Sequence, residues 1–185
     1  VEELSHFVKD RFATTQFAGF AVPLVSLVTE FIDLLKQSSA SRASPIGARE
    51  LLAWVSFINN CVARNVLSPW AALIHGACMV LLDGLGVGSS SGLNEENSLA
   101  LRTKCLQYLI NQVPEQFQEE TLAQCRGLLD HTDKAVVSVS PSCLEIGAFK
   151  AEMGLNPIPQ VDYELRAPTT ALNAMRLLRA MQLHG

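Results

Sequence analysis

One arginine near the start of an amphipathic helix is the residue whose position most directly suggests chemistry. The pattern predicts a helix that begins near Pro45, because proline fits a first helical turn and apolar residues follow at spacings of three and four. Ser44 could cap this helix, or Gly47 could cap it with Glu50 at the third position. Arg49 then lies where a helix carries partial positive charge, so a nearby anion is expected. Glu50 could be that anion, and so could a phosphate from outside the chain.

Two other groups of residues have types that could support catalysis or metal binding. His75 and Cys78 are three residues apart on a predicted helix, which would bring a base close to a nucleophile. No third orienting group is identifiable, and the apolar surroundings favour core residues instead. Asp130, His131 and Asp133 could hold a metal, but we interpret this acid–histidine group as a solvated end of a helix and predict no metal site.

A glycine- and serine-rich stretch at residues 84–92, GLGVGSSSG, superficially resembles a phosphate-binding loop. A nucleotide-binding loop follows a strand, and a Walker loop ends in Gly-Lys-Ser/Thr so that the lysine reaches the phosphates. Here a predicted helix precedes the stretch and no lysine follows it. The sequence therefore predicts a helix end followed by a flexible surface loop.

Composition restricts the class of protein. The chain has 185 residues, enough for one or two domains, with 49% hydrophobic and 17% charged residues. Its net charge is −4 and it lacks a block of Lys or Arg, which argues against direct binding of nucleic acid. Five cysteines without a CxxC pair favour a reducing compartment and argue against zinc.

We also expect no membrane span, since the apolar run after Pro69 is shorter than about 20 residues and contains His75. The chain begins at Val1 without signal-peptide features, which suggests a segment of a longer protein.

Most of the chain has helical periodicity. A short first helix is expected around residues 4–12, a clearer one from Pro23, and a polar linker over 38–44. After the helix that carries Arg49, we predict three more helices. These are a central apolar helix opened by Ser68 and Pro69, one capped by Asn94 and ended by Pro114, and one that contains Phe117, Leu122, Cys125, Leu128 and Leu129.

The character of the sequence changes from Ala135 onward. Valines and aromatic residues alternate with breakers, which predicts short strands and loops up to about Leu165. Thr169 or Thr170 is then expected to cap a last helix. One side of that helix should be apolar, lined by Ala171, Ala174, Met175, Leu177, Leu178 and Met181. The predicted fold class is mainly α, with a helical bundle, a small strand-and-loop segment and one C-terminal helix.

Three stretches resemble a known family. The run SPIGARELLAWVSFI at 44–58 is similar to the helical lid of a midasin AAA module, and HGACMVLLDGLG at 75–86 also looks like midasin lid sequence. The run APTTALNAMRLLRAMQL at 167–183 is similar to the midasin segment that leads into the first strand and phosphate-binding loop of the next module. The resemblance implies an AAA-type lid over 1–133 and the linker and first segment of the following module over 134–185.

The resemblance also implies functional residues. Arg49 corresponds to the sensor-2 arginine, which would touch the γ-phosphate held by the preceding module. Leu165, Arg166, Ala167 and Pro168 would lie beside the adenine of the following module. No catalytic residue is expected within the chain. ATP and magnesium would be cofactors of the parent protein, and none is expected to bind the isolated chain.

Finally, the resemblance implies a setting. The parent would be a large nuclear ATPase, found in the nucleolus and nucleoplasm, that releases assembly factors from large-subunit pre-ribosomes. Its partners would be neighbouring modules of the same chain and those assembly factors. Gly47 and Ala48 depart from the branched residues usual before the arginine, and the loop at 84–92 has no counterpart that we can match. The alternatives are the lid of a MoxR-like AAA protein and a non-enzymatic helical scaffold that presents an apolar groove to a partner.

Overall fold

The fold is taken from a computed structural model of the chain. It describes His6, Asp10, Arg11 and residues 19–37, 47–85, 95–128, 136–152, 154 and 167–184. Most of the predicted first helix, the linker at 38–44, most of the glycine-rich loop and residues 129–135 lie outside the described residues.

Six α-helices and one three-stranded sheet make up the described part. The helices are α1 (Ala21–Gln37), α2 (Ala48–Ala63), α3 (Pro69–Ala77), α4 (Glu95–Asn111), α5 (Glu115–Gln124) and α6 (Pro168–Met181). The strands are β1 (Val137–Ser140), β2 (Cys143–Ile146) and β3 (Phe149–Glu152). The predicted fold class, mainly α with a small strand segment, is confirmed.

The centre of the bundle is the close pair of α2 and α3. Trp54 of α2 is fully buried, and its indole Nε1 donates a hydrogen bond of 2.9 Å to the carbonyl oxygen of Leu73 in α3. A Cβ atom at Gly76 would lie 2.3 Å from Trp54 Cδ1, so only glycine allows the two helices to approach this closely. Phe57 and Ile58 are also fully buried, and each such side chain contributes about 1.5–3 kcal/mol by leaving water.

Helix α3 widens at its C-terminal end. Residues Cys78–Leu82 form a π-helical turn that continues α3, and the N–H of Asp83 donates to the carbonyl oxygen of Cys78 at 2.9 Å. This bond spans five residues, as in a π-helix, and π turns within α-helices occur often at functional sites. Residues Ala71–Cys78 are all buried, which confirms the prediction of a central helix.

The sheet is an antiparallel meander in the order β1-β2-β3. Ile146 pairs with Phe149 across the turn between β2 and β3, where Gly147 has a φ of +60° that favours glycine. Ile146 and Phe149 are buried and belong to the same core as the helices. The sheet therefore has one face on the core, and Val139 on β1 remains exposed.

Helix α6 packs against the sheet and the π-helical turn. Met175 and Leu178 are buried in the shared core, and a 3-10 turn, Gln182–His184, follows the helix. Two details of the predicted helix are wrong. Ala167 is the N-cap, with Pro168 at the first position, rather than Thr169 or Thr170. Leu177 and Met181 are 65% and 53% exposed, because they lie outside the face that carries Ala171, Met175 and Leu178.

Helix α5 ends earlier than the sequence predicts. Its last helical residue is Gln124, and Cys125 and Leu128 are buried in the turns that follow. Of the apolar residues predicted for this helix, Phe117 and Leu122 are 40% and 41% exposed. Apolar spacing also could not distinguish a further helical turn from a bend that buries Cys125 and Leu128.

Candidate functional site

The candidate nucleotide-sensing position is the first turn of α2. Gly47 is the N-cap in an extended conformation, and its N–H donates a hydrogen bond of 2.9 Å to the carboxylate of Glu50. This is one of the two hydrogen bonds of a capping box. The other bond needs an acceptor on the side chain of the cap residue, so it cannot form with glycine. Of the two caps left open by the sequence, the structure has Gly47.

Arg49 lies in this turn with its side chain exposed. Among the described residues no ion pair or hydrogen bond involves its guanidinium. Glu50, the acid next to it in sequence, is bonded to the cap instead. The turn thus holds a permanent positive charge beside backbone N–H groups that have no partner within the helix, an arrangement suited to an anion.

The C-terminal candidates are only partly described. Leu165 and Arg166 lie outside the described residues. Ala167 is partly buried and caps α6, and Pro168 occupies the first helical position. Proline there fixes the direction in which the chain enters the helix.

His75 is a buried structural residue rather than a base. Its ring is fully buried and meets Phe149 edge to face, with centroids 4.9 Å apart. Burial, and next the positive charge of Arg179, lower the pKa of His75 to about 3, against an opposing effect of the hydrogen bond to Gln124. The imidazole is therefore neutral, and its Nε2–H donates to the carbonyl oxygen of Gln124 at 3.0 Å. This bond joins α3 to the end of α5.

The thiols of Cys61, Cys78 and Cys105 are not suited to act as nucleophiles. All five are buried with free thiols. Burial raises the pKa of Cys78, and it raises the pKa of Cys61 and of Cys105 to about 12. Because the thiolate is the reactive form, these thiols are inert. The interpretation of His75 and Cys78 as core residues is confirmed.

A cluster of charged residues that sequence reasoning missed lies at the end of the π-helical turn. Asp83 Oδ1 is 3.1 Å from Arg102 Nη1 of α4 and 3.4 Å from Arg176 Nε of α6. Asp83 Oδ2 accepts a hydrogen bond from Arg179 Nη2, also of α6. Arg179 is fully buried, whereas Asp83 and Arg102 keep 16% and 11% of their side chains exposed. The only signal in the sequence was the pair of arginines three residues apart on the last helix.

A second polar contact holds the end of α6. Asn60, near the C-terminal end of α2, donates from Nδ2 to the carbonyl oxygens of Gln182 and Leu183, at 3.1 and 3.2 Å. Those carbonyls follow the helix and would otherwise lack a partner. Helix α2 therefore carries Arg49 in its first turn and a contact with the C-terminal segment in its last.

An apolar groove is present on another side of the bundle. It has a volume of about 620 Å³ and is lined mainly by Phe20, Trp70, Phe117, Leu67 and Pro69. The rings of Phe20 and Trp70 meet edge to face at 4.7 Å. Glu120 and Gln124 supply polar atoms at its edge.

Two predicted absences concern metals and membranes. Within the described ranges, His, Cys, Asp and Glu side chains form no group of three or more that could hold a metal ion. Residues 130–133, the acid–histidine group, lie outside those ranges. None of the helices in the described part has the length and apolar character needed to cross a membrane.

Comparison with known proteins relates this geometry to a family. Residues 1–83 match the family model described as the midasin AAA+ ATPase lid domain. Midasin of Dictyostelium discoideum is 37% identical over 191 residues, which cover 98% of this chain and 3% of that protein. The chain thus spans a small part of the relative that it matches. No solved structure matches the chain.

Proposed function

Because this chain belongs to the midasin family and contains AAA+ lid sequence, we propose that it senses nucleotide through Arg49. In this proposal the guanidinium touches the γ-phosphate of ATP held by the preceding module, and Leu165, Arg166, Ala167 and Pro168 lie beside the adenine of the following one. The observation that carries the proposal is the exposed Arg49 in the first turn of α2, next to an acid that is committed to the helix cap.

The energetics favour a phosphate as the missing partner. A cation in the first turn of a helix faces the partial positive charge of the helix end, which costs about 0.3–1 kcal/mol at an exposed site. An anion at this position removes that repulsion and gains charge-assisted hydrogen bonds from the guanidinium. A triphosphate matches the fixed fork of donors better than a single point charge would.

The parent protein supplies the rest of the reaction in this proposal. It would hold ATP and magnesium in modules that neighbour this chain, remodel large-subunit pre-ribosomes in the nucleus and release their assembly factors. This chain would contribute binding and positioning, and the phosphate-binding loop and magnesium ligands would come from elsewhere in the parent. The isolated chain is accordingly expected not to bind ATP in calorimetry, and micromolar binding would contradict that expectation.

The decisive experiment is Arg49→Ala in the longer protein that contains this chain. Preorganised charged donors contribute a few kcal/mol to phosphoryl transfer, so ATP turnover at the preceding module should fall roughly ten- to a thousandfold. Arg64, exposed at the C-cap of the same helix, is a matched control, and Arg64→Ala should leave turnover unchanged. Equal effects of the two substitutions, or none from Arg49→Ala, would refute the sensor role.

A second candidate function is protein binding without catalysis. The apolar groove beside Phe20, Trp70 and Phe117 favours it, since pockets with aromatic linings bind apolar side chains well. Phe117→Ser should then weaken binding of a partner while ATP turnover stays normal. If Phe117→Ser changes no interaction and Arg49→Ala abolishes turnover, the sensor role alone is supported.

A further inference from the structure

The cluster around Asp83 has more positive than negative charge. Three guanidinium groups from Arg102, Arg176 and Arg179 face one carboxylate, so the four side chains together carry a charge of about +2. Nε and Nη1 of the fully buried Arg179 have no hydrogen-bond partner among the described residues. The three cations can remain close together only because the carboxylate lies between them, since like charges in a partly buried setting repel strongly.

The same carboxylate connects three elements that are far apart in sequence. Asp83 ends the π-helical turn, Arg102 belongs to α4, and Arg176 and Arg179 belong to α6. The backbone of Asp83 is itself fixed by the hydrogen bond from its N–H to Cys78. A single acceptor therefore holds two side chains that lie about one turn apart on α6.

The 3-10 turn that follows α6 contacts the helix that bears Arg49. Asn60 holds the carbonyls of Gln182 and Leu183 and is eleven residues from Arg49, about 16 Å along α2. Since Trp54, between them, locks α2 onto α3, α2 can move only together with the helix that ends at Asp83. The C-terminal half of α6 and the turn that follows it are thus fixed to the α2–α3 pair and its π-helical end.

We propose that Asp83 is a positioning residue that holds α6 in one register on the α2–α3 pair, so that a displacement at Arg49 reaches the segment containing Ala167 and Pro168. The coupling between the two positions rests on the proposed function. The inference about the register of α6 does not depend on the proposed function, because it is drawn from the contacts of Asp83 and Asn60.

Hydrogen exchange in the longer protein tests the register. Asp83→Asn keeps the shape of the side chain but leaves three facing cations, so amides of residues 170–184 should exchange at least about tenfold faster while those of 71–77 keep their protection. Glu119→Gln, which removes an exposed acid on α5, is the matched control and should change neither segment. Unchanged protection of 170–184, or an equal loss in both segments, would overturn the proposal.

A second substitution separates charge repulsion from simple loss of a contact. Adding Arg176→Met to Asp83→Asn removes one of the three cations, so the double variant should recover part of the lost protection in 170–184. If the double variant exchanges faster than Asp83→Asn alone, the charge argument is wrong. Should Asp83→Asn fail to fold, Asp83→Glu carries the test: it keeps the charge but lengthens the side chain by one methylene, so faster exchange is expected in 170–184 only and unchanged exchange would overturn the proposal.

ATP turnover tests the coupling separately. Asp83→Asn and Arg49→Ala should each lower turnover, and together they should lower it by less than the product of the single effects, because both act on one connection. Faster exchange with normal turnover in Asp83→Asn would overturn the coupling and leave the register intact. Normal turnover in Arg49→Ala would refute the proposed sensor, and the exchange result would still decide the register.

Discussion

Arginine occurs in two opposite settings in this chain. Arg49 lies exposed in the first turn of α2, without an ion pair among the described residues. Arg179 is fully buried and bonded to Asp83, which two further arginines share. An exposed guanidinium can meet an external anion, whereas a buried one is committed to the fold. Residue type alone therefore says little about function, and the position of the nearest carboxylate decides between the two roles.

The largest expected effect is a loss of stability when the buried cluster around Asp83 is changed. Asp83→Asn leaves three cations without their shared carboxylate, so the free energy of unfolding should fall by about 3–5 kcal/mol. Denaturant unfolding followed by circular dichroism measures this change, with Glu119→Gln as the control. A loss below about 1 kcal/mol would mean that the cluster resembles an ordinary surface ion pair.

The second expected effect is that the free energy of unfolding depends on pH through His75, which is buried near Arg179. The pKa of His75 is about 3 in the folded chain against 6.5 in the unfolded chain, with burial as the main cause and Arg179 as the next. The unfolded state therefore binds more protons between these values, and stability falls as pH drops from 6.5 toward 3, by at most about 1.4 kcal/mol per pH unit. Between pH 6.5 and 3, the free energy of unfolding should fall more steeply with decreasing pH in the native chain than in His75→Phe. Parallel pH profiles would exclude a contribution from His75.

The smallest effects are expected at the exposed setting. Glu50→Ala removes the hydrogen bond to the Gly47 N–H and should cost about 0.5–1.5 kcal/mol of stability. Arg49→Ala should change stability by no more than about 0.5 kcal/mol, as is usual for a surface residue. Thermal unfolding of both variants checks the pair. If Arg49→Ala lowers stability more than Glu50→Ala does, Arg49 is a structural residue and does not differ in role from Arg179.

Periodic elements could be predicted from the sequence because their signals are local. The predicted stripe of Leu51, Leu52, Val55, Ile58, Cys61 and Val62 contains four of the buried residues of α2, and Trp54 and Phe57 are buried outside it. Ser68 with Pro69 predicted the start of α3. Valines in β1, and Leu144, Ile146 and Phe149 in β2 and β3, predicted the strands. The mainly α fold class follows from these patterns, which depend on residues only a few positions apart.

What could not be predicted depends on contacts between distant residues. Leu177 and Met181 satisfy the helical spacing of an apolar face, yet the position of the sheet determines which side of α6 is buried. Asp83 is separated by 96 residues from Arg179, and no local pattern connects them. For the site, the family resemblance implied that Arg49 would meet a phosphate, and its role in ATP turnover stays a prediction.

The fit of Trp54 against Gly76 has a consequence for the order in which the chain folds. These two residues are close in sequence, so α2 and α3 can dock after closing a short loop, whereas Asn60 meets Gln182 only across 122 residues. We expect the transition state to contain the α2–α3 pair and to lack α6. Stopped-flow kinetics should then find that Trp54→Phe mainly slows folding and Asp83→Asn mainly speeds unfolding. The reverse pattern would place the C-terminal helix in the folding nucleus.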